Sequence, residues 1–372
     1  MHLSIHSSAR TCTAALCLAL LAAAPAHADT PGVKISDAAY AATNTALVSG
    51  HVLPAYRTLE TGMAALDTTT AAYCTGDDTK NLANVKTAFV TANDAWMGAE
   101  HIAFGPVDLF MRNLRLNFWP QARGKISDAV ADAIVEQTDD NLKEVGKGTF
   151  ALQGLPAFEY LLYSDDGLTP ASPQCALASG IAANMHTIAT DIVHEWTAGD
   201  PPFTTRMAEP GGDNFYFATH ADVTLALFKS LHEGLQKVAT LKLVPVLGTN
   251  MPDARPALAE SSLSNRALEN IRINLAALQQ LYRGTDDDGL TALARNSELD
   301  PKLDALMRKA FTQTIATANA ITLPLPDAVM DAQQRKLVEK LTTQTRALRQ
   351  ITAERLAPAL GLSVGFNSLD GD

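Results

Sequence analysis

The chain has 372 residues, 47% of them hydrophobic, and a formal net charge of −11 at pH 7. This length is enough for one large domain or two ordinary ones. The acidic balance argues against nucleic acid or an anionic membrane surface as a partner, because both would repel it.

The first 28 residues have the pattern of a secretory signal peptide. A short apolar run, Ala15 to Ala26, leads to small residues that form a cleavage site ending at Ala28. We therefore predict a mature chain that begins near Asp29 and is periplasmic or secreted. Cys17 raises the alternative of a lipoprotein, but Leu16 before it is larger than a lipobox favours. No later run reaches the roughly 18 apolar residues of a membrane span.

Apolar residues recur with helical spacing along the rest of the chain, and sustained period-two alternation is absent. Stripes with this spacing predict amphipathic helices, so we predict an all-α fold. Four of them step by three and four residues: Leu82, Val85, Phe89, Ala92 and Trp96; Ile181, Met185, Ile188, Ile192 and Trp196; Leu268, Ile271, Leu275 and Leu278; and Leu303, Leu306, Ala310 and Phe311.

A segment dense in proline and glycine, Gly199 to Phe215, interrupts this pattern and is the best candidate for a domain boundary. Several helices lie on each side of it, enough for one helical bundle in each half. We therefore predict a signal peptide at 1–28, an N-terminal bundle at 29–200 and a C-terminal bundle at 201–372.

Two cysteines, Cys74 and Cys175, remain after the predicted cleavage. An even pair in an exported chain indicates a disulfide, and two free buried thiols are the alternative. A bridge that closes a loop of about 100 residues would stabilise the fold by roughly 4–5 kcal/mol in the chain-entropy model.

The stretch from Gly154 to Tyr163 places a glutamate, Glu159, just after Pro156 and before an apolar run. Proline favours the first position of a helix, which would put Glu159 in the first turn. There the helix dipole stabilises a carboxylate by about 0.3–1 kcal/mol. Glu159 is therefore a helix-start acid, a carboxylate on the floor of a binding cleft, or a metal ligand, and the sequence leaves these three roles open.

Five stretches in one order resemble the imelysin-like family, exported bacterial proteins that include insulin-cleaving and iron-regulated members. The resemblance implies two helical bundles packed side by side. The stretches that carry it are His101 to Pro106 after a helix ending in Trp96, Arg115 to Pro120, Gly154 to Tyr163, Glu260 to Tyr282, and Leu360 to Asp372.

The signature of that family is GxHxxE, and this chain departs from it. Gly154 and Glu159 match, but Pro156 stands at the histidine position and offers no ligand atom. The resemblance thus implies a degenerate site, made of Gly154, Pro156 and Glu159 with Arg115 and Trp119 from the preceding motif. Glu159 is its candidate metal ligand, and a divalent metal or iron is the cofactor that the family suggests.

Other candidate sites are weaker. The mature histidines form no HxxE or HExxH spacing, and the loop from Thr285 to Gly289 lacks the ligand spacing of a calcium loop. The acidic end, Asp370 to Asp372, could coordinate a cation. Arg112 and Arg115 lie one turn apart and could bind an anion or pair with Glu159.

Two functions follow from these observations. The first is a periplasmic imelysin-like binding or accessory protein linked to iron uptake, whose partner is an iron-uptake system or an outer-membrane protein. The second is a metallopeptidase, which would need a metal and an activated water. We favour the first, because Pro156 removes the most obvious metal ligand and no nucleophile motif is present.

Overall fold

The computed structural model describes residues 35–76, 81–122, 124–136, 145–164 and 167–362. The predicted signal peptide, its cleavage near Asp29 and the acidic end at Asp370 to Asp372 lie outside these residues. The described part is helical and contains no strand, so the predicted all-α class is confirmed. None of its helices is both long and apolar enough to cross a membrane.

The described part of the first half begins with one continuous helix, in which two α-helical segments are joined by a π-helical stretch, Val48–Val52. Short 3₁₀ turns at Gly105–Val107, Leu109–Met111, Val145–Lys147 and Phe150–Leu152 connect the later helices. The α-helices are α1 (Asp37–Leu47), α2 (Leu53–Cys74), α3 (Leu82–Ala99), α4 (Arg112–Leu116), α5 (Lys125–Glu136), α6 (Gly154–Tyr163) and α7 (Pro173–Thr197).

The second half contains two more π-helical stretches, Lys237–Leu243 and Thr352–Leu356, and a 3₁₀ turn at Pro256–Leu258. Its α-helices are α8 (Phe203–Ala208), α9 (His220–Gln236), α10 (Val244–Leu247), α11 (Ala267–Arg283), α12 (Leu290–Arg295), α13 (Leu303–Ala320), α14 (Leu325–Ala328), α15 (Gln334–Ile351) and α16 (Ala357–Ala359).

The packing of these helices follows the two halves only in part. In the first half, α2 packs against α3 and α7, and α6 packs on α7; in the second, α9, α11, α13 and α15 pack together. Two contacts cross between the halves: α3 packs on α11, and α1 packs on α9, although α1 is followed in the chain by helices of the first half. The division into two bundles at residue 201 therefore stays a prediction.

Most of the predicted apolar stripes form the core. In α3, Val85, Phe89 and Trp96 are buried, and the stripes of α7 and α11 are buried along their whole length. Helix α13 differs, because it buries Met307 where the sequence analysis placed Leu306, which is half-buried.

The predicted disulfide is present between Cys74 and Cys175, whose Cα atoms are 5.4 Å apart. It joins the last residue of α2 to the third residue of α7. Helix α7 begins there because the Ser172 side chain accepts a hydrogen bond from the Cys175 N–H and Pro173 occupies the first turn. The bridge thus fastens two helices that also pack along their lengths.

Candidate functional site

Helix α6 begins at a glycine that no other residue could replace without displacing the backbone. Gly154 has φ of +74°, and a Cβ added there would lie 2.4 Å from the carbonyl oxygen of Leu116. The close approach sets the start of α6 against the end of α4. This contact gives a physical reason for the glycine of the signature.

Pro156 is the third residue of α6, and Glu159 is the sixth. The first four N–H groups of a helix have no intrahelical acceptor, so proline is tolerated at this position. Glu159 therefore lies in the second turn, and its predicted first-turn position is wrong. The dipole of the helix start does not account for its placement, because that effect fades beyond the first turn.

Glu159 is buried and is held by a loop of the second half of the chain. Its Oε1 atom accepts hydrogen bonds from the backbone N–H of Ser264, at 2.8 Å, and from the Ser264 hydroxyl, at 2.5 Å. The pKa of Glu159 is raised to about 7, chiefly by burial and to a smaller extent by the nearby charge of Glu260, against the lowering effect of the hydrogen bonds from Ser264. Among the described residues, no donor contacts Oε2 and no cationic side chain pairs with Glu159.

The loop that carries Ser264 is constrained on both sides of it. Ser261 and Asn265 adopt left-handed backbone conformations, with φ of 48° and 57°. Such non-glycine residues persist only where the surroundings fix them, and they cluster at functional sites. Arg266, at the end of the loop, forms a salt bridge of 2.5 Å with Asp94 of α3.

Arg115 does not neutralise Glu159, contrary to the expectation from the sequence. Its guanidinium donates to Gln153 Oε1 at 3.0 Å and to Asn184 Oδ1 at 3.1 Å. These bonds tie α4 to the turn before α6 and to α7, so Arg115 positions the start of α6. Trp119 is half-buried, and a ligand-binding role for it stays a prediction.

A network of buried charges lies beside this loop. Glu100 forms salt bridges with Lys237, at 2.6 Å, and with Lys242, and Lys242 also contacts Glu260 at 2.8 Å. Both lysines hold the pKa of Glu100 down to about 2, against the opposing effect of its burial. The two carboxylates and two ammonium groups balance one another, whereas Glu159 has no such partner among the residues that the structure describes.

The π-helical stretch Lys237–Leu243 brings both lysines to Glu100. In an α-helix of 3.6 residues per turn, side chains five positions apart point about 140° away from each other. The i→i+5 hydrogen bonds of a π-helix widen the turn and bring such residues closer to one face. The irregular helix therefore has a direct consequence for the network.

Amide side chains complete this network. Asn117 and Asn270 each donate to Glu260 at 3.1 Å, and Asn274 accepts from Lys242 at 2.7 Å. Asn270 also accepts a bond from Asn93 of α3 at 2.8 Å. The groups come from both halves of the chain, so the network fixes α3 against α11.

Two histidines meet next to Glu100. His51, in the π-helical stretch Val48–Val52, and His101, after α3, have their Nε2 atoms 2.7 Å apart. Burial lowers the pKa of His51 to about 4 and that of His101 well below its usual value, so both rings are neutral at pH 7. No group of three or more His, Cys, Asp or Glu residues within the described ranges is arranged to hold a metal.

Other sequence candidates have structural partners. Arg112 forms a two-pronged salt bridge with Glu195, at 2.7 and 2.9 Å, and does not meet Glu159. In the loop from Thr285 to Gly289, Asp287 pairs with Arg283 and Arg308, which would disfavour calcium.

Sequence reasoning missed Ser264, Lys237, Lys242 and Glu260 as parts of the site. One signal was visible: Lys242 interrupts an apolar helical run, where a charge is expected to be buried and paired. Nothing comparable marks Ser264, which lies in a polar segment.

The family model described as Imelysin (Peptidase M75) matches residues 52–352. The chain therefore belongs to the imelysin family, as the resemblance of its motifs indicated. The match covers both the Glu159 site and the buried charge network.

Similar proteins are known from several bacteria. Iron-regulated protein A of Synechococcus elongatus is 26% identical over 298 residues, which are 79% of each chain. The crystal structure of an imelysin-like protein from Psychrobacter arcticum has a TM-score of 0.73 at 22% identity, covering 90% of this chain and 99% of that one. A Parabacteroides distasonis structure, described as a putative iron-regulated protein A precursor, has a TM-score of 0.70 at 18% identity, covering 86% and 96%. At these identities the two structures show a shared fold.

Proposed function

We propose that the protein is a periplasmic binding or accessory protein, linked to iron uptake, that holds a cation at Glu159. The observation that carries this proposal is the unbalanced charge of Glu159. Its carboxylate is buried and, within the described residues, has only neutral donors, whereas Glu100 and Glu260 each contact a lysine. A buried carboxylate without a positive partner is costly, and a bound cation would remove that cost.

The link to iron uptake is supported by the family and by the iron-regulated names of two relatives. The residues present do not supply the ligand set of a tight transition-metal site. Glu159 and Ser264 offer a carboxylate and a hydroxyl, and Pro156 offers nothing. A cation that keeps most of its water molecules fits these oxygen donors better than one that needs several protein ligands.

A calorimetric titration with iron(II) and with magnesium, an ion that keeps most of its water molecules, tests this proposal. Glu159→Gln should lose the binding that the parent protein shows at this site. Glu195→Gln is the matched control, because it removes the same charge from a carboxylate that Arg112 neutralises. The affinity at Glu159 should also increase as the pH rises through about 7, since the cation competes with the proton of this group. Equal binding by Glu159→Gln and the parent would refute the proposal.

The alternative is a metallopeptidase, and one observation favours it. A glutamate with a pKa near 7 suits a general base at neutral pH. We expect no peptidase activity, because Pro156 leaves Glu159 without the neighbouring ligand that would hold a catalytic metal. Incubation with an unfolded protein substrate and zinc should therefore give no cleavage that a chelator abolishes. Cleavage that disappears in Glu159→Gln would favour the peptidase.

A further inference from the structure

A surface groove lies along α9, apart from the Glu159 site. Its volume is about 610 Å³, within the range of about 300–1,000 Å³ in which proteins bind ligands. It is lined by Leu225 and Ala226 of α9, by Phe104, and by the loop from Asn214 to Ala218. None of its lining residues belongs to the Glu159 site or to the buried charge network, so the groove is a separate candidate for binding.

The loop beside this groove presents aromatic side chains to solvent. Phe215 is 97% exposed and Tyr216 is 49% exposed, whereas the next residue, Phe217, is buried. Phe215 is the most exposed of the large apolar side chains in the described ranges. Exposed aromatic residues around a groove are typical of contacts with other proteins, where such residues carry much of the binding free energy.

Hydrogen bonds and ring packing hold this loop in place. The Asn214 side chain donates to the carbonyl oxygen of Arg206 at 2.6 Å and accepts from the backbone N–H of Tyr216 at 3.1 Å. The ring of Phe203 packs edge-on against Tyr216, with the ring centroids 5.1 Å apart. Because the loop is already ordered, a partner that covers Phe215 loses little free energy in ordering it.

The charged groups that line the groove are mainly acidic. Asp222 and Glu233 contribute carboxylates, and Lys229 contributes an ammonium group. Asp222 already accepts hydrogen bonds from Thr219, whereas the exposed Glu233 carboxylate has neither a hydrogen bond nor a salt bridge among the described residues. An unpaired carboxylate beside aromatic rings attracts a cationic group, and the rings add a cation–π attraction.

The rim of the groove adds to this negative charge. Glu209 and Asp213 are exposed in the segment that leads to Phe215. The one cation of that segment, Arg206, lies over the Tyr216 ring at 5.3 Å, so this aromatic loop already binds a guanidinium within the chain. With a net charge of −11, the whole protein would also draw a basic partner towards this surface.

We propose that this groove binds a segment of a partner protein that carries an arginine or lysine beside an aromatic or aliphatic side chain. The apolar side chain packs against Phe215, Tyr216 and Leu225, and the cationic group pairs with Glu233. The charge of Lys229, one turn before Glu233, confines that cationic group to the Glu233 end of the groove.

The dimensions and openness of the groove fit a chain segment. Helix α9 rises about 16 Å from Asp222 to Glu233, at about 1.5 Å per residue. An extended segment of about five residues spans this distance. With Phe215 almost fully exposed, the groove covers one side of such a segment, whereas a small-molecule pocket encloses most of its ligand.

A phage-displayed library of random peptides, selected on the folded protein, tests the proposal. The selected peptides should share an arginine or lysine beside an aromatic or aliphatic residue. In fluorescence anisotropy, Phe215→Ser should bind synthetic copies roughly 30-fold more weakly than the parent, as for the loss of an aromatic hot spot. The matched control is Leu299→Ser, which changes an exposed apolar residue outside the groove lining and should bind as the parent does. A selection that yields no binding peptide, or equal binding by Phe215→Ser and the parent, would overturn the proposal.

Glu233→Lys tests the charge of the partner. Its affinity for the basic peptides should be lower by about tenfold or more, and less dependent on salt, because the free carboxylate is reversed. The matched control is Glu298→Lys, which reverses an exposed carboxylate outside the groove lining. An equal effect of both substitutions would trace the binding to net charge alone and overturn the proposal, as would selected peptides without a basic residue.

Two further measurements separate this proposal from a second copy of the chain and from the Glu159 site. The parent and Phe215→Ser should sediment alike, and a dimer that Phe215→Ser dissociates would assign the groove to a second copy and overturn the proposal. Glu159→Gln should bind the peptides as the parent does, so failure here and failure of the Glu159 proposal are distinguishable.

Discussion

Replacing Lys242 with methionine should destabilise the protein more than any change at its surface. Lys242 is 2% exposed, and its ammonium group contacts Glu100, Glu260 and Asn274. Methionine fills similar space but leaves two buried carboxylates without their shared partner. Breaking a buried pair in this way costs about 3–5 kcal/mol. We expect the lower end, about 3 kcal/mol, because Glu100 keeps its bond to Lys237.

Urea unfolding at pH 7, followed by the helical circular dichroism signal, measures this loss. Lys340→Met is the control, since Lys340 is exposed on α15 and its replacement should change the free energy of unfolding by less than about 0.5 kcal/mol. Adding Glu260→Gln to Lys242→Met should recover about 1 kcal/mol or more, because it removes one stranded charge. A decrease in the free energy of unfolding of less than about 1 kcal/mol for Lys242→Met would refute this reasoning, because the charges would then behave like a solvent-exposed ion pair.

Three further predictions concern the disulfide, the family signature and the histidine pair. Thiol titration of the unfolded, unreduced mature protein should find no free thiol, and two would reject the bridge between Cys74 and Cys175. Pro156→His should bind zinc more tightly than the parent in calorimetry, because histidine and Glu159 would then lie about one turn apart on one face. Equal, tight binding by both proteins would contradict the interpretation that Pro156 replaces a metal ligand. The free energy of unfolding should fall as the pH drops from about 6.5 towards 4, because His51 binds a proton in the unfolded state but stays neutral in the folded state, where burial lowers its pKa to about 4. An equally steep fall in His51→Gln would exclude His51 as the cause.

The sequence predicts best those features that depend only on residues close to one another along the chain. The stripes of α3 and α7 follow from helical spacing, and the helix after Gly154 follows from its breaker and the apolar run beyond it. In α13 the same reasoning chose Leu306 over Met307, because spacing alone does not settle which of two adjacent apolar residues faces the core.

The contacts of Glu159 could not be predicted in this way. Its partner, Ser264, is 105 positions away, and their meeting depends on how α6 lies against the loop before α11. The sequence analysis paired Glu159 with Arg115 by charge, but the amides of Gln153 and Asn184 take the arginine. The π-helical stretches were equally hidden, since their sequences keep ordinary helix-forming residues while the helix widens to bring Lys237 and Lys242 together.

The first described helix has a consequence for the order in which the chain can fold. The hydroxyl of Tyr40 in α1 donates to the carbonyl oxygen of Leu360, 320 positions later, at 2.7 Å. Helix α1 also packs on α9, so its apolar face has no native cover until the second half of the chain exists. During synthesis this early helix stays exposed until α9 has been made, and the bond from Tyr40 forms only once Leu360, 320 positions later, has followed. A chaperone that shields the nascent chain should therefore bind α1 until α9 has been made.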